Sequence, residues 1–309
     1  MRGAGGRDMK SIAFVGLGNM GLPMVTNLVK AGYRVHAADV RPEAVEAAVG
    51  QGAFAAESAA AATGRAEVVV TMVPNSPEVE VAYLGPGGVL EGARPGQIAI
   101  DMSTIDPATT RKVGARLEAA GVRMLDAPVS GGVPGAVAGT LTIMVGGDAA
   151  TVSQMRPILG AMGKNVVHVG PLGSGEVAKI CNNLLAGVSM IAAAEAFTIG
   201  TRAGVDPKIL HDVIRTSSGN CWAIEHNCPV PGLVPKSASN RDFAAGFMTD
   251  LMAKDLSLAR AAARDLGVPC FTGALAHDLY MLASRHGLGR KDFSSVIQLL
   301  TASEGGGGG

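Results

Sequence analysis

The run Gly16-Leu17-Gly18-Asn19-Met20-Gly21 constrains this chain more tightly than any other part of its 309 residues. It follows Ser11-Ile12-Ala13-Phe14-Val15, an apolar run that reads as a strand, and precedes Leu22 to Ala31, which reads as a helix. A G-x-G-x-x-G segment in that setting is the signature of a dinucleotide site. Gly16 allows the tight turn, Gly18 lets a pyrophosphate approach the backbone, and Gly21 lets the helix pack closely on the strand. The helix N-terminus then faces the phosphates. A second apolar run, Tyr33 to Ala38, ends in Asp39. An acid about 20 residues past such glycines accepts hydrogen bonds from the adenosine ribose. Its charge repels a 2′-phosphate, so NAD is expected over NADP, although Arg41 offers a phosphate an alternative partner.

From Ser11 to about Val169 short apolar runs alternate with helical segments, the rhythm of a parallel α/β sheet. Val68 to Val73, Ile98 to Asp101, Met124 to Ala127, Thr140 to Val145 and Val166 to Val169 read as strands. Asp106 with Pro107 has the form of a helix start. The loops after Val73-Pro74, at Thr104, and at Pro128-Val129-Ser130-Gly131-Gly132 leave strands at their carboxyl ends. Open α/β sheets bind ligands there.

After Gly170-Pro171-Leu172-Gly173-Ser174-Gly175 the strand signals nearly vanish, and 175–202 reads as one long helix. It carries Lys179 with Asn182 and Asn183 at i+3 and i+4, so an ammonium and two amides share a face of a largely apolar helix. Burying such groups unpaired is costly, which points to a polar ligand or a partner domain; exposure to water is the competing reading. Asp206-Pro207 opens another helix, 247–266 is amphipathic, and two more helices are expected before Ala302. The stretch Ser217 to Asp242 is rich in Ser, Asn, Pro and Gly, a long loop of the kind that is functional or poorly ordered. The expected fold is therefore an α/β Rossmann-type N-terminal domain at 11–171, followed by an all-α C-terminal domain at 172–302. A disordered leader (1–10) and a disordered tail (303–309) complete the division.

Lys plus Arg and Asp plus Glu balance at 26 each, and aromatic residues make up 4%, so nothing drives nucleic-acid binding or base stacking. The longest apolar stretch, Leu184 to Ala194, contains Ser189 and is shorter than the roughly 20 residues of a membrane span. No membrane partner is expected, and Met1 to Asp8 lack the apolar core of a secretory signal. Cys181, Cys221, Cys228 and Cys270 match no zinc spacing, and the six histidines are scattered, so no metal is expected. The cysteines read as reduced thiols of a cytoplasmic protein, with Cys181 a small buried packing residue. The apolar helical half suggests a homodimer or homotetramer.

Taken together the residues resemble the β-hydroxyacid dehydrogenase family over nearly the whole chain, from Met9 to about Leu300. The resemblance rests on Gly16 to Gly21, on Asp126-Ala127-Pro128-Val129-Ser130-Gly131-Gly132, on Gly175-x-x-x-Lys179-x-x-Asn182-Asn183, and on Leu251-Met252-Ala253-Lys254-Asp255-Leu256. It implies NAD along Gly16, Leu17, Gly18, Asn19, Met20 and Gly21, with the ribose near Asp39. Val73, Pro74 and Thr104 line the cofactor, and Lys254 reaches the cofactor or a substrate carboxylate. It further implies a small hydroxy-acid substrate whose carboxylate meets Ser130, Gly131 and Gly132. Lys179 then acts as the acid/base at the reacting hydroxyl, and Asn183 orients Lys179 or the substrate. Ser217-Ser218-Gly219, Cys221-Trp222, Asn227-x-Pro229-Val230-Pro231-Gly232 and Lys291-Asp292-Phe293-Ser294-Ser295 align the chain with members that oxidise 3-hydroxyisobutyrate to methylmalonate semialdehyde in valine breakdown. The alternatives are a sister reductase of tartronate, succinic or glyoxylic semialdehyde, often NADP-dependent, and a non-catalytic nucleotide-binding regulator. Imine reduction fits less well, since such relatives usually lack the lysine.

Overall fold

The computed structural model describes residues 11–301; the leader and tail expected from the sequence lie outside the described residues. The chain divides into two compact units, Met1–Lys179 and Ile180–Gly309.

The first unit is built on one sheet. Its strands are β1 (Ser11–Val15), β2 (Arg34–Ala38), β3 (Phe54–Ala55), β4 (Val68–Thr71), β5 (Ile98–Asp101), β6 (Arg123–Asp126), β7 (Val129–Ser130), β8 (Thr142–Gly146) and β9 (Asn165–Gly170). The order is β3-β2-β1-β4-β5-β6-β8-β7, with β9 beside β8. From β3 to β6 all pairings are parallel. Strand residues alternate between the two faces, yet both faces are covered. Ile12, Phe14, Val68, Val70, Ile98 and Ile100 join one core, while Ala13, Val15, Val69 and Ala99 join another on the opposite side. Burial on both faces is why these strands are continuous apolar runs rather than alternating ones.

The parallel sheet expected from the alternation of strands and helices is found from β3 to β6 and gives way to mixed pairing at its far end. β8 runs antiparallel to β6 and to β7, and only its pairing with β9 is parallel. The chain turns back through Val129 to Gly132 and the short helix Gly132–Ala138, so β8 enters from the opposite end. The helix Ala149–Met162 then provides the crossover that a parallel β8–β9 pair requires. Apolar periodicity carries no information about strand direction. Asp106 does cap its helix, accepting a hydrogen bond from the Ala108 amide, with Pro107 in the first turn.

The second unit is helical, with principal helices Ser174–Arg202 (its first residues counted with the first unit), Pro207–Arg215, Thr249–Asp265 and Phe271–Ala283. Met190, Ala194, Phe197, Met252, Leu256, Tyr280 and Phe293 form its core. Phe197 is 1% exposed, and burying such a side chain contributes about 2–3 kcal/mol. The segment Ser217 to Asp242 is more ordered than its composition suggests. It contains the short helix Trp222–Glu225 and the 3-10 turn Ala238–Arg241. Asn227 holds it together: its Oδ1 accepts from the Ala238 amide at 3.0 Å, and its Nδ2 donates to Asp292 Oδ1 at 2.9 Å. The other Asp292 oxygen accepts from the amides of Gly246 and Phe247. Asn227 and Asp292, 65 residues apart, are therefore one clasp.

Two expectations about the long helix are corrected. Cys181 is exposed rather than a packing residue. Ser174–Arg202 is also long and apolar enough, by length and composition, to cross a membrane. Counting only the uninterrupted run Leu184 to Ala194 misses this, because the small residues on either side of that run are also apolar on average. Met190, Ala193, Ala194 and Phe197 of this helix lie in the core of the second unit.

Candidate active site

In the first unit the order of strands reverses between β1 and β4, and the loops that leave these two strands meet at their carboxyl ends. The amide of Met72 donates to the Val15 carbonyl at 2.9 Å, and that of Gly16 to the Ala38 carbonyl at 2.9 Å. Gly16 has φ +94°, and a Cβ there would overlap the Met72 carbonyl, so this turn admits only glycine. At Gly18, by contrast, a Cβ would meet nothing within 4 Å. The protein leaves the space over this residue open, which suits the close approach of a pyrophosphate. Leu17 is buried, Asn19 exposed, and Met20 half-buried ahead of the helix Gly21–Lys30.

Asp39 follows the last residue of β2 and turns back onto the glycine loop. Its Oδ2 accepts from the Leu17 amide at 2.6 Å; its Oδ1 accepts from the Arg41 amide at 2.9 Å and from Arg41 Nε at 3.2 Å. Burial works to raise the Asp39 pKa, but the Leu17 and Arg41 amides and the Arg41 guanidinium outweigh it and hold the carboxyl below its ordinary value. Asp39 is therefore an anion with lone pairs to spare for hydroxyl donors. Arg41, the alternative phosphate holder, has its Nε committed to that same carboxylate.

The Val73-Pro74 and Thr104 loops are joined through a buried network absent from the sequence reading. Asp101 ends β5 and is fully buried. Its Oδ1 accepts from Thr71 Oγ1 and Ser103 Oγ, both at 2.7 Å, and from the Ser103 amide at 3.2 Å. Because Thr71 donates to Asp101, the Tyr83 hydroxyl 3.0 Å away must be the donor to Thr71. Ser103 Oγ in turn accepts from the Val73 amide at 3.0 Å. Burial pushes the Asp101 carboxyl up, against the Ser103 and Thr71 hydrogen bonds, and the neighbouring Asp126 charge pushes the same way as burial.

Asp126 ends β6 in register with Asp101. Its Oδ1 accepts from the Gly173 amide at 2.7 Å and its Oδ2 from the Glu176 amide at 2.9 Å, at the start of the Ser174–Arg202 helix. Burial raises its pKa, opposed by those helix amides. A Cβ on Gly175 would lie 2.8 Å from Asp126 Oδ2, so only glycine lets the helix come this near the strand end. Glu176, fully buried, accepts from the Ile105 amide at 3.1 Å through its Oε2. Lys179 stands one turn further on and is 6% exposed. Four residues past Asp126, Ser130 is half-buried, and Gly131 and Gly132 turn the chain at φ +130° and +59°. The structure thus places Gly16 to Gly21, Asp39, Val73-Pro74, Thr104 and Ser130 to Gly132 just beyond strand carboxyl ends, and ties the Lys179 helix to that same edge.

In the second unit Asn183 and Lys254 are brought to one carboxylate, Asp255, which the sequence reading left without a role. Asn183 is 5% and Asp255 1% exposed. Asn183 Nδ2 donates to Asp255 Oδ2, and Lys254 Nζ lies 3.2 Å from Asp255 Oδ1. A carboxylate only accepts, so the Asn183 amide group is oriented with its NH2 toward Asp255. Asn182 is exposed and donates to Asn183 Oδ1 at 3.0 Å, so the two asparagines do not share an environment. Among the described residues no group of three or more His, Cys, Asp or Glu side chains is placed to hold a metal ion.

Comparison with known proteins agrees with this geometry. Residues 11–170 match the family model described as the NAD binding domain of 6-phosphogluconate dehydrogenase. Residues 173–300 match the one described as NAD-binding of NADP-dependent 3-hydroxyisobutyrate dehydrogenase. An NAD-dependent L-serine dehydrogenase of Pseudomonas aeruginosa is 47% identical, over 96% of this chain and 100% of its own length. A 3-hydroxyisobutyrate dehydrogenase of the same organism is also 47% identical, over 94% of this chain and 98% of its own. The solved structure of Mycobacterium tuberculosis 3-hydroxyisobutyrate dehydrogenase with L-serine superposes with a TM-score of 0.90 at 46% identity, covering 94% of this chain and 99% of that one. The chain belongs to the β-hydroxyacid dehydrogenase family. It is an NAD-binding oxidoreductase of the group that contains the 3-hydroxyisobutyrate dehydrogenases.

Proposed function

We propose that the protein oxidises small 3-hydroxy acids with NAD, and that its principal reaction converts 3-hydroxyisobutyrate to methylmalonate semialdehyde, a step of valine breakdown. The observation that carries this reading is a buried lysine, Lys179, on a helix pinned by Asp126 and Glu176 to the strand ends where the Thr104 loop and the Ser130 loop begin.

The substrate carboxylate is received by the Ser130 hydroxyl and the backbone amides of Gly131 and Gly132, where the missing side chains leave the N–H groups accessible. Lys179 hydrogen-bonds the hydroxyl oxygen and takes its proton as the carbonyl forms; in the reverse direction it returns that proton to the developing alkoxide. NAD, when bound, supplies the hydride acceptor. The Gly16 to Gly21 loop receives its pyrophosphate, Asp39 its ribose hydroxyls, and Val73, Pro74 and Thr104 line its course. Asn183 is assigned to orienting the substrate or Lys179, and Lys254 to the cofactor or the substrate carboxylate.

A second reading, L-serine as principal substrate, is supported by the relative named for that activity and by the amino acid in the mycobacterial structure. The two substrates share the carboxylate and the primary alcohol and differ by methyl against ammonium at C2. Initial rates with NAD and NADP against both compounds separate the readings. A higher kcat/KM with NAD and 3-hydroxyisobutyrate is the expected result. A preference for L-serine moves the protein to the second reading, and turnover confined to NADPH with small semialdehydes moves it to the sister reductases. No turnover on any hydroxy acid defeats the enzymatic reading and favours the nucleotide-binding regulator.

The four free cysteines support a reducing compartment, here the cytoplasm. Leu185, Ile199, Phe271 and Leu275 of the helical unit are each more than 60% exposed, as expected of residues covered in a homo-oligomer. Light scattering on the purified protein should give a dimer or tetramer mass; a monomer at micromolar concentration defeats the assembly.

A further inference from the structure

We propose that Asp126 and Glu176 are positioning residues that set Lys179 in register with the Thr104 and Ser130 to Gly132 loops, a proposal that rests on the reading of Lys179 as the proton-transfer group. The first amides of any helix have no partner within it. Here the Glu176 amide in the first turn, and the Gly173 amide just before the helix, are satisfied from 50 and 47 residues earlier in the chain, by the two oxygens of one buried carboxylate. Glu176 then works in the opposite sense: it belongs to the helix and reaches back 71 residues to hold the Ile105 amide. Strand β6 grips the helix, and the helix grips the loop that follows β5.

These three bonds fix the two ways in which a helix can go out of register. Two acceptors on amides three residues apart, those of Gly173 and Glu176, resist rotation about the axis, and the Ile105 bond, made on a different strand end, resists sliding. A slip of one residue would carry Lys179 about 1.5 Å along the axis and about 100° around it. There is also an electrostatic consequence. The positive end of the helix is already filled by the protein's own carboxylate. The substrate carboxylate is therefore not drawn to that helix end, and the Ser130 to Gly132 loop is left as its receptor.

The test is single-turnover stopped-flow on enzyme mixed with NAD and saturating hydroxy acid, following NADH. A variant that merely folds less well loses amplitude but keeps the rate constant; a misplaced Lys179 loses the rate constant. Glu176→Ala should lower that rate constant about 10–100-fold, the scale of loss for a misplacement near 1 Å, with the NAD dissociation constant little changed. Glu176→Gln retains an oxygen for the Ile105 amide and should recover to within about threefold of wild type. Asp126→Asn keeps one acceptor and turns an NH2 toward the other amide, so it should fall between the two. Where Asp126→Asn does not fold, the Glu176 pair decides. Unchanged rate constants with reduced amplitude would make the carboxylates plain structural caps, and the proposal fails while the Lys179 reading stands. Lys179→Ala is run beside them: wild-type turnover in that variant removes the functional reading and this inference with it.

Discussion

Replacing Lys179 by alanine is expected to lower kcat for hydroxy-acid oxidation by about 10³–10⁴-fold, combining lost proton transfer with lost stabilisation of the oxyanion. A loss of that size corresponds to about 4–5 kcal/mol of transition-state stabilisation. The dissociation constant for NADH, read by fluorescence titration, should stay close to wild type, because the Gly16 to Gly21 loop, Asp39 and the Val73-Pro74 loop are untouched. Lys179→Arg is the sharper control. It keeps a positive charge and hydrogen-bond donors, yet guanidinium does not give up a proton in this pH range. Activity near that of the alanine variant then identifies proton transfer as the function, whereas recovery in the arginine variant would reduce Lys179 to an electrostatic role. An alanine variant with more than about a tenth of wild-type kcat is incompatible with an essential acid/base, whose contribution is at least about 100-fold.

The features legible in the sequence were those with a local cause. Gly16 is fixed by its positive φ and by the carbonyl it faces, so a glycine had to stand there. Asp106-Pro107 and Asp206-Pro207 announce helix starts because the cap bonds to amides two or three residues on. Lys179 and Asn183 fall on one face by helical spacing alone. What the sequence hid depends on distant partners. Asp126, Asp101 and Asp255 look like ordinary acids, and each has its meaning only through groups brought together by the fold; Asn183 lies 72 positions from Asp255. A signal was present, though weak. Ile98-Ala99-Ile100-Asp101 and Arg123-Met124-Leu125-Asp126 are both apolar strands that stop on an aspartate, and an acid that regularly closes buried strands implies donors waiting at that edge. The antiparallel pairing of β8 had no such signal, since reversing a strand leaves its apolar pattern unchanged.

Asp39→Ser is expected to reverse cofactor preference. In the wild type Asp39, the residue proposed to receive the adenosine ribose, is a carboxylate held below its ordinary pKa, so on that reading a 2′-phosphate would meet a like charge. Such juxtaposition costs several kcal/mol, or about 100-fold in affinity at 1.4 kcal/mol per factor of ten. Serine removes that charge and releases the Arg41 side chain, now held at 3.2 Å by Asp39, to face a phosphate. The same change takes charge-assisted bonds away from the NAD ribose, each about 1.5–3 kcal/mol. The ratio of kcat/KM for NADP to that for NAD should therefore rise by about 10³-fold or more, and an unchanged ratio would show that selection lies elsewhere. A stability effect accompanies it, because Asp39 also holds the Leu17 amide. Its lowered folded-state pKa means that its contribution is present above the ordinary value of 3.8 and is lost as the pH falls through the folded value. The difference in Tm between wild type and Asp39→Ser should then be greatest near neutral pH and close in acid. A difference that persisted in acid would mean that the serine disturbs the turn sterically, and the cofactor reversal could not then be assigned to charge alone.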